Sequence, residues 1–196
     1  MDGLRLRSGE ITAATFDRNG SIWAAFDGEG ITRIDNPSTD PVVAYYNERA
    51  TVNEILSDSV TCLERAGGEI YYGSANGVGK FFGNLHALEP NLSDSLGGRR
   101  VNDLLYDAAE NVLWVAWDGG IARFDRDTYD YTSYPAGPSY SLCFHDGGFY
   151  CATLGGVRRY DGAGWPVLGA GFHVMPYING RLWDSDTESW REERAG

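Results

Sequence analysis

Four polar side chains recur at predicted turns of this chain, and their types limit the chemistry that they could perform. They are Asp27, Asn76, Asp118 and Asp184. Two carboxylates that face each other across a cavity can support glycoside hydrolysis, one of them as the acid. An Asp that precedes a Gly in a tight turn more often caps that turn through its own carboxylate. We therefore expect Asp27 and Asp118 to form turns, with hydrolysis as the alternative.

A second set of candidate residues is cationic or aromatic, and consists of Arg99, Arg100, Trp117, Tyr140 and His173. Adjacent arginines can anchor an acidic partner through charge-assisted hydrogen bonds, or can be a solvated pair in a loop. Trp117 lies beside a predicted turn, where an exposed ring could stack on a sugar. Trp23 and Trp114 instead lie within apolar runs, and we expect both in the core.

Recognised catalytic motifs are missing from the sequence. The three histidines, His86, His145 and His173, are dispersed, and the chain holds no HExxH, CxxC, GxSxG or phosphate-binding glycine loop. We therefore predict no catalytic residue, no metal and no cofactor, although the members of a triad could still meet across distant segments.

The net charge of −12 in 196 residues limits the partners of the chain. A surface this acidic repels phosphate backbones, so we predict no nucleic-acid partner. No stretch approaches the roughly 20 apolar residues that span a bilayer, and the N-terminus lacks the apolar region of a signal peptide. We therefore predict no membrane insertion, and a chain that is cytoplasmic or associated with a virion.

The three cysteines, Cys62, Cys143 and Cys151, form an odd set, which argues against a disulfide framework. A three-residue turn over 146–148 would place Cys143 and Cys151 opposite each other across a hairpin, where they could pair. We expect instead that all three are buried free thiols, because cysteine packs well in apolar strands.

One repeated pattern specifies the elements that must hold these residues. Each copy contains an aromatic residue, a Gly-rich turn, an apolar stretch and a basic residue followed by an aromatic residue and often Asp. The aromatic anchors are spaced by 48, 43, 36 and 33 residues, and are Trp23, Tyr71, Trp114, Tyr150 and Trp183. A period near 40 residues is typical of radial arrays of small sheets.

The third copy shows the elements of one repeat. Turn residues separate four stretches rich in β-branched and aromatic residues, which predict strands over 101–106, 112–117, 121–125 and 129–134. The run VLWVAW and its counterpart SIWAAF are apolar on both faces, as is typical of strands covered on both sides. Four short antiparallel strands make one propeller blade.

We therefore predict an all-β fold, in which a single domain over residues 1–196 forms a five-bladed β-propeller of four-stranded antiparallel blades. The predicted blades cover about 11–48, 60–92, 101–135, 139–169 and 172–192. The last copy lacks a convincing fourth strand, whereas residues 3–7 form a spare strand ahead of the first blade. We predict that residues 3–7 complete the last blade and close the ring, because an open ring leaves sheet edges exposed.

The segments DRNGSIWAAFDGEGITRID and NVLWVAWDGGIARFD carry the repeat most fully, and GEIYYGSANGVGKFF and GFYCATLGGVRRYD carry it with Tyr in the Trp position. This pattern resembles the two-component regulator propeller repeat over nearly the entire chain. The resemblance implies a propeller like those in the periplasmic sensor portions of bacterial signalling receptors. It implies no particular ligand, because the motif residues of a blade specify structure.

Strand order predicts which candidate residues share a face. The turn between the second and third strands lies at the same end of a blade as the connection to the next blade. Two of these connections, 47–59 and 89–100, are longer than the fold requires, and such loops often carry binding sites. We therefore predict a binding surface at this end, formed by Asp27, Asn76, Arg99, Arg100, Trp117, Asp118, Tyr140, His173 and Asp184.

Three functions fit these features. The first, which we expect, is a non-enzymatic interaction module that binds a protein partner or serves as a structural subunit of a larger assembly, such as a phage tail or virion accessory protein. The second is a lectin-like propeller that binds carbohydrate or another small ligand in equivalent pockets between blades. The third is a small hydrolase with its site at the mouth of the central channel.

Overall fold

The computed structural model describes residues 9–49, 55–83, 85–88, 90–168, 177–178, 181–184 and 189–192. Within these residues the regular secondary structure is antiparallel β-sheet, apart from one short helix. The predicted closing strand, residues 3–7, lies outside the described residues, as does His173.

Three sheets of four strands follow one another along the chain, and each strand pairs with the next one in sequence. Blade 1 contains β1 (Ile11–Phe16), β2 (Ile22–Phe26), β3 (Gly30–Asp35) and β4 (Val42–Tyr46). Blade 2 contains β5 (Val60–Ala66), β6 (Glu69–Ser74), β7 (Gly77–Phe82) and β8 (Leu85–Leu88). Blade 3 contains β9 (Val101–Asp107), β10 (Val112–Trp117), β11 (Gly120–Asp125) and β12 (Tyr131–Pro135).

Blade 4 has three strands, which are β13 (Ser139–His145), β14 (Gly148–Thr153) and β15 (Gly156–Arg159). The prediction of four strands is therefore wrong for this blade. Where the fourth strand was expected, Val167 makes an isolated antiparallel bridge to Arg158. Pro166 precedes this bridge and has no N–H to donate, which disfavours a continuous ladder.

The last repeat contains a further three-stranded antiparallel sheet of β16 (Tyr177–Ile178), β17 (Arg181–Asp184) and β18 (Ser189–Glu192).

A short helix, α1 (Pro90–Leu96), occupies most of the connection 89–100, which the sequence predicts as a loop. Leu92 and Leu96 lie four residues apart, share one helix face and are buried against the core between blades 2 and 3. Gly97 and Gly98 then end the helix with positive φ angles of 64° and 62°. The connection is therefore long because it adds an apolar helix to the core.

Adjacent blades pack through side chains that alternate along their inner strands. Trp23 and Ala25 of blade 1 pack with Leu63, Ile70 and Tyr72 of blade 2 in one apolar cluster. Two further clusters join blade 2 to blade 3 and blade 3 to blade 4. All six residues of β10 are buried, which confirms that inner strands are covered on both faces.

The repeated motif owes its form to a cross-strand contact. Arg33 lies opposite Trp23, and its guanidinium carbon is 5.3 Å from the centre of the indole. Lys80 is placed in the same way opposite Tyr71, with its amine 5.7 Å from the ring. Because a cation above an aromatic face is attracted to the ring, the basic residue of the motif helps to hold the aromatic anchor in place. Trp23 and Trp114 are both buried, as predicted.

The hairpin of blade 4 separates Cys143 from Cys151. Its turn has two residues, because His145 pairs with Gly148, and this register places Cys143 opposite Tyr150 and Cys151 opposite Leu142. Neighbouring positions in a strand point to opposite faces, so the two thiols diverge and remain free. Cys62 and Cys151 are buried as predicted, but the prediction is wrong for the exposed Cys143.

Candidate functional site

The blades present two end faces. The connection face carries the turns 27–29, 75–76, 118–119 and 154–155 together with the connections between blades. The hairpin face lies at the opposite ends of the strands and carries the turns 17–21, 36–41, 67–68, 108–111, 126–130 and 146–147. The sequence prediction placed the binding surface on the connection face.

A repeated backbone hydrogen bond joins each turn of the connection face to the residue ahead of the blade's first strand. Its four copies run from the N–H to the carbonyl in the pairs Asp27 to Glu10, Ala75 to Ser59, Asp118 to Arg100 and Leu154 to Pro138. The predicted turns and the inter-blade connections therefore do lie together.

Asp27 and Asp118 use their carboxylates to tie turns to connections. Oδ1 of Asp27 accepts a hydrogen bond from the Ser59 hydroxyl at 3.0 Å. Oδ1 of Asp118 accepts one from the side-chain amide of Asn102, also at 3.0 Å. These hydrogen bonds reach the neighbouring connection, whereas the sequence predicted that each carboxylate caps its own turn.

A second repeated contact joins consecutive blades on this face. Each first strand contains a bulge near its start, at Thr12, Thr61, Asn102 and Tyr140. The Thr12 hydroxyl donates to the Val60 carbonyl at 2.8 Å, and the Thr61 hydroxyl to that of Val101 at 2.6 Å. The Asn102 amide donates to the Ser139 carbonyl at 2.8 Å. A bulge aims a side chain out of the ladder, here toward the next blade.

The two arginines of the predicted surface are held by neutral groups. The Arg99 guanidinium carbon lies 5.7 Å from the centre of the Trp117 ring. Nε of Arg100 donates to the Asn102 side chain at 3.1 Å. Trp117 itself is only 9% exposed, and a Cβ at Gly119 would overlap its ring. Trp117 is therefore part of the core and not an open platform for stacking on a sugar.

The remaining predicted residues differ in accessibility. Tyr140 is 47% exposed at its bulge position. Asn76 is exposed, but its amide donates to the Leu56 carbonyl at 3.1 Å. Asp184 ends β17, and His173 lies outside the described residues. The connection face thus brings Arg99, Arg100, Trp117 and Asp118 together around Asn102, while Asp27 and Asn76 belong to a separate network at residues 56–59.

The turns of the hairpin face are short and closed by their own carboxylates. Asp107 accepts the N–H groups of Ala109 and Glu110, and Asp125 accepts those of Asp127 and Thr128. Asp17 accepts those of Asn19 and Ser21, and its second oxygen accepts the Trp23 indole N–H at 3.2 Å. Burial favours a higher pKa for Asp17, but these hydrogen bonds outweigh it, so the pKa is lowered.

Six large apolar side chains are exposed on the hairpin face. Each is 51–68% exposed, and they are Phe16, Val42, Phe82, Leu85, Tyr129 and Phe144. Phe16 and Phe144 occupy the same position in their blades, one pair before the first turn, since they face Ile22 and Phe149 across the first hairpin. The connection face exposes a smaller set, Ile11, Tyr140 and Leu154. A concentration of exposed apolar groups is typical of an interaction surface.

Two inter-blade cavities open beside these rings. One, of about 160 Å³, lies between Trp23 of blade 1 and Phe81, Phe82 and Gly83 of blade 2. The other, of about 270 Å³, lies between Tyr106 of blade 3 and Phe144 and Phe149 of blade 4. Both cavities are bordered by an exposed Phe, so the apolar surface of the hairpin face continues into the spaces between adjacent blades.

The join between blades 2 and 3 is filled by a side chain instead. Arg126 lies between the rings of Tyr71 and Tyr106, with its guanidinium carbon 5.4 Å and 5.0 Å from their centres. It pairs with Glu69 at 2.7 Å and also donates to Asn111. Phe81 and Phe124 are register equivalents, so Gly83 corresponds to Arg126. The contact between blades 1 and 2 therefore has a cavity at the position where the contact between blades 2 and 3 holds the Arg126 guanidinium.

The buried titratable groups lie in these joins. Burial raises the pKa of the Cys62 and Cys151 thiols to about 12, and that of the Tyr71 hydroxyl to about 12. Burial also raises the pKa of Glu64, whose carboxylate accepts the Tyr106 N–H at 3.0 Å across the join of blades 2 and 3. These pKa shifts follow from blade packing.

Sequence reasoning overlooked the hairpin face because its turns are short. A signal was present, since a large apolar residue stands directly beside the turn at Phe16, Phe82 and Phe144. In the pair Phe81–Phe82, strand alternation requires one ring to point away from the other, and Phe82 is the exposed one. Arg126 gave no such signal, because the sequence does not show that it reaches blade 2.

The described geometry defines a propeller-like all-β repeat protein. No protein-family description and no characterised protein sequence matches the chain. Solved structures do resemble it. The extracellular domain of a hybrid two component system from B. thetaiotaomicron has a TM-score of 0.69 at 17% identity, over 95% of this chain and 30% of that chain.

Two other solved structures are similar. The extracellular domain of a one component system from B. thetaiotaomicron has a TM-score of 0.68 at 16% identity, over 90% of this chain and 25% of that chain. An ancestral GH74 enzyme has a TM-score of 0.64 at 13% identity, over 83% and 24%. The chain thus spans at most about a third of the length of these proteins. The fold-level resemblance to two-component regulator propeller repeats is confirmed.

Within the described part of the chain, no helix has the length and apolar character needed to cross a bilayer.

Proposed function

We propose that this protein is a non-enzymatic β-propeller interaction module that binds a partner protein through its hairpin face. The observation that carries the proposal is the set of six exposed apolar side chains, two of which border inter-blade cavities. Aromatic side chains that fill pockets of a partner dominate the energetics of many interfaces.

The connection face is less suited to this role. The side chains of Asn102 and Asp118, and those of Asp27 and Ser59, bond to each other within the protein. A partner would have to replace these hydrogen bonds, whereas the apolar rings of the hairpin face lose only contact with water. The predicted site around Arg99 and Arg100 stays a prediction, with an acidic partner as its ligand.

The proposed module is a single five-bladed propeller over residues 1–196, closed by residues 3–7. The burial of Ala24, Phe26 and Ile34 supports this proposal. These side chains alternate with Trp23 and Ala25, which pack on blade 2, and therefore point to the other side of blade 1. Their burial indicates that another part of the chain covers that side, as a closed ring requires.

Two of the similar structures are extracellular domains of signalling systems, and a third is a GH74 enzyme. We propose that this chain presents a surface to a binding partner and carries out no chemistry itself. A structural subunit of a larger assembly, such as a virion, would use the same face.

The carbohydrate-binding alternative has less support. A lectin-like propeller would present equivalent pockets at each join between blades. The join of blades 1 and 2 is open, the next is filled by Arg126, and the third packs Trp165 and Tyr160 against Trp114. The cavity between blades 3 and 4 lies at a different position in its join.

Affinity capture with matched variants tests the proposal. The intact chain and the double variants Phe82→Ser/Phe144→Ser and Arg99→Ala/Arg100→Ala serve as bait in extracts of the source organism. We expect a stoichiometric protein that the arginine variant retains and the phenylalanine variant loses. Loss with the arginine variant alone would move the interaction to the connection face. Partners retained equally by all three baits would contradict the proposal.

A further inference from the structure

We propose that the cavity between blades 3 and 4 on the hairpin face receives one apolar side chain from a basic segment of a partner protein. We call it the anchor cavity, and it is lined by Tyr106, Asp107, Ala108, Ala109, Phe144 and Phe149. This inference rests on the proposed function, because it names the chemistry of the partner that the same face would bind.

The walls of the anchor cavity are held in place by the surrounding core. The Tyr106 ring is covered by the Arg126 guanidinium at 5.0 Å, and its hydroxyl donates to Asn111 at 3.1 Å. The Phe149 ring lies 5.5 Å from that of the buried Trp114 and 4.9 Å from that of Phe144. A binding pocket with fixed walls loses little conformational entropy when a ligand enters.

The entrance of the anchor cavity stays open because the turn beside it has small side chains. Ala108 and Ala109 are exposed and contribute only methyl groups to the rim. The Asp107 carboxylate accepts the Ala109 N–H at 2.9 Å and so fixes the turn. A larger residue at position 109 would extend into the cavity, which makes this position useful for a test.

The volume of the anchor cavity, about 270 Å³, limits what can occupy it. Pockets for drug-sized ligands usually measure about 300–1,000 Å³. An apolar side chain on a peptide suits this space and these apolar walls better than a complete cofactor or oligosaccharide.

The charges near the anchor cavity favour a basic segment. Exposed carboxylates occur in the turns of blades 3 and 4, at Glu110, Asp127, Asp130 and Asp146, of which Glu110 pairs with Arg123. Arg126 pairs with Glu69. Arg159 of blade 4 is exposed and lies against the Tyr150 ring, so the exposed carboxylates of these two blades on this face outnumber their exposed arginines. Complementary charge would speed association with a Lys- or Arg-rich segment and orient it.

Selection from a random peptide library displayed on phage tests this inference, with the intact 196-residue chain as the target. We expect enriched peptides with one large apolar residue flanked by Lys or Arg. The strongest peptide is then synthesised, and its affinity for four variants is measured by fluorescence anisotropy. Ala109→Leu fills the cavity, Asp146→Lys reverses a nearby charge, Phe82→Ser changes the same face elsewhere, and Arg99→Ala alters the opposite face.

Ala109→Leu should weaken binding by about tenfold or more at any salt concentration, since it removes the space for the anchor. Asp146→Lys should weaken binding mainly at low salt, because exposed charges are screened within a Debye length of about 10 Å at 0.1 M. Arg99→Ala should bind as the unchanged chain does. Thermal melting checks that each variant is folded.

Several results would overturn the inference. These are a selection without enrichment, enriched peptides that lack basic residues, and peptides that bind the Ala109→Leu variant normally. If the partner found by affinity capture depends on Phe82 but not on position 109, the anchor cavity is wrong and the proposed function stands. If that partner depends on neither residue, both proposals fail.

Discussion

The two faces of this protein use their side chains in opposite ways. On the connection face, polar residues form hydrogen bonds that join one blade to the next, as Thr12, Thr61 and Asn102 do. On the hairpin face, turn carboxylates bond to their own turns, and apolar rings such as Phe82 and Phe144 remain exposed. The polar residues that look most like a binding site are therefore largely occupied by structural contacts.

This difference has a physical origin in the blade topology. Consecutive blades are linked only at the connection face, where the chain crosses from a fourth strand to the next first strand. Polar groups at these crossings need partners, since an unpaired buried donor or acceptor costs about 1–3 kcal/mol. In the described part of blades 1 to 4 the hairpin face has no such crossings, so fewer of its residues are needed to join blades.

The largest change in stability is expected at Arg126. Its polar contacts join blades 2 and 3 on the hairpin face, and so they are an exception to the difference between the two faces. Arg126→Ala should lower the free energy of unfolding by about 3 kcal/mol, because it removes the ion pair with Glu69, the hydrogen bonds to Asn111 and the Ala66 carbonyl, and the packing between two Tyr rings. Urea denaturation measures the change. Arg18→Ala is the matched control, since Arg18 is exposed on the same face, and should change stability by less than about 0.5 kcal/mol. Equal losses of stability in Arg126→Ala and Arg18→Ala would contradict the role of Arg126 in joining the two blades.

The next largest change in stability is expected from a substitution that removes a hydrogen bond between blades on the connection face. Asn102→Ala should cost about 2 kcal/mol of stability, because the side chain bonds to Arg100, Asp118 and the Ser139 carbonyl. Tyr140→Phe changes the equivalent bulge position, where the ring is half exposed, and should cost less than about 0.5 kcal/mol. The comparison between faces would weaken if Asn102→Ala proved neutral.

A smaller effect depends on pH. The folded-state pKa of Asp17 is lowered, so its carboxylate adds stability above the unfolded value of about 3.9 and loses it as the pH falls through the folded value. Asp17→Asn should therefore cost about 1 kcal/mol at pH 7, and less as the pH drops from 5 to 3. A cost that stays constant over this range would show that the charge of Asp17 contributes nothing.

The smallest effect is expected for the exposed rings themselves. Phe82→Ser and Phe144→Ser should each change the free energy of unfolding by less than about 0.5 kcal/mol, because both side chains are mostly exposed. Chemical denaturation tests this directly. A loss above 1 kcal/mol would mean that the rings serve the fold, and the hairpin face would lose its distinction from the connection face.

Much of the fold could be predicted from the sequence because local rules determine it. Apolar strands rich in β-branched and aromatic residues, Gly and Asn turns, and the spacing of Trp23, Tyr71 and Trp114 predict blades 1 to 3. The helix α1 was missed because its apolar residues, Leu92 and Leu96, span only two turns. The fourth strand of blade 4 was expected by analogy with the other blades, although Pro166 argues against it.

The candidate site was harder to predict, since it depends on which side chains meet between blades. The turns at Asp27 and Asp118 bond to the inter-blade connections, while the binding surface predicted there stays a prediction. The sequence did not show that Trp117 is covered by Arg99 and Gly119, or that Arg126 crosses a join. Contacts between residues about 40 to 60 positions apart follow from packing and have no local signature.

Hydroxyl-radical footprinting of the captured complex would test the central claim most directly, because it reports the solvent exposure of individual side chains. We predict that partner binding protects Phe82, Leu85, Tyr129 and Phe144, and leaves Tyr140 and Leu154 of the connection face unchanged. Protection of Tyr140 and Leu154, with the hairpin face labelled as in the free protein, would contradict the account.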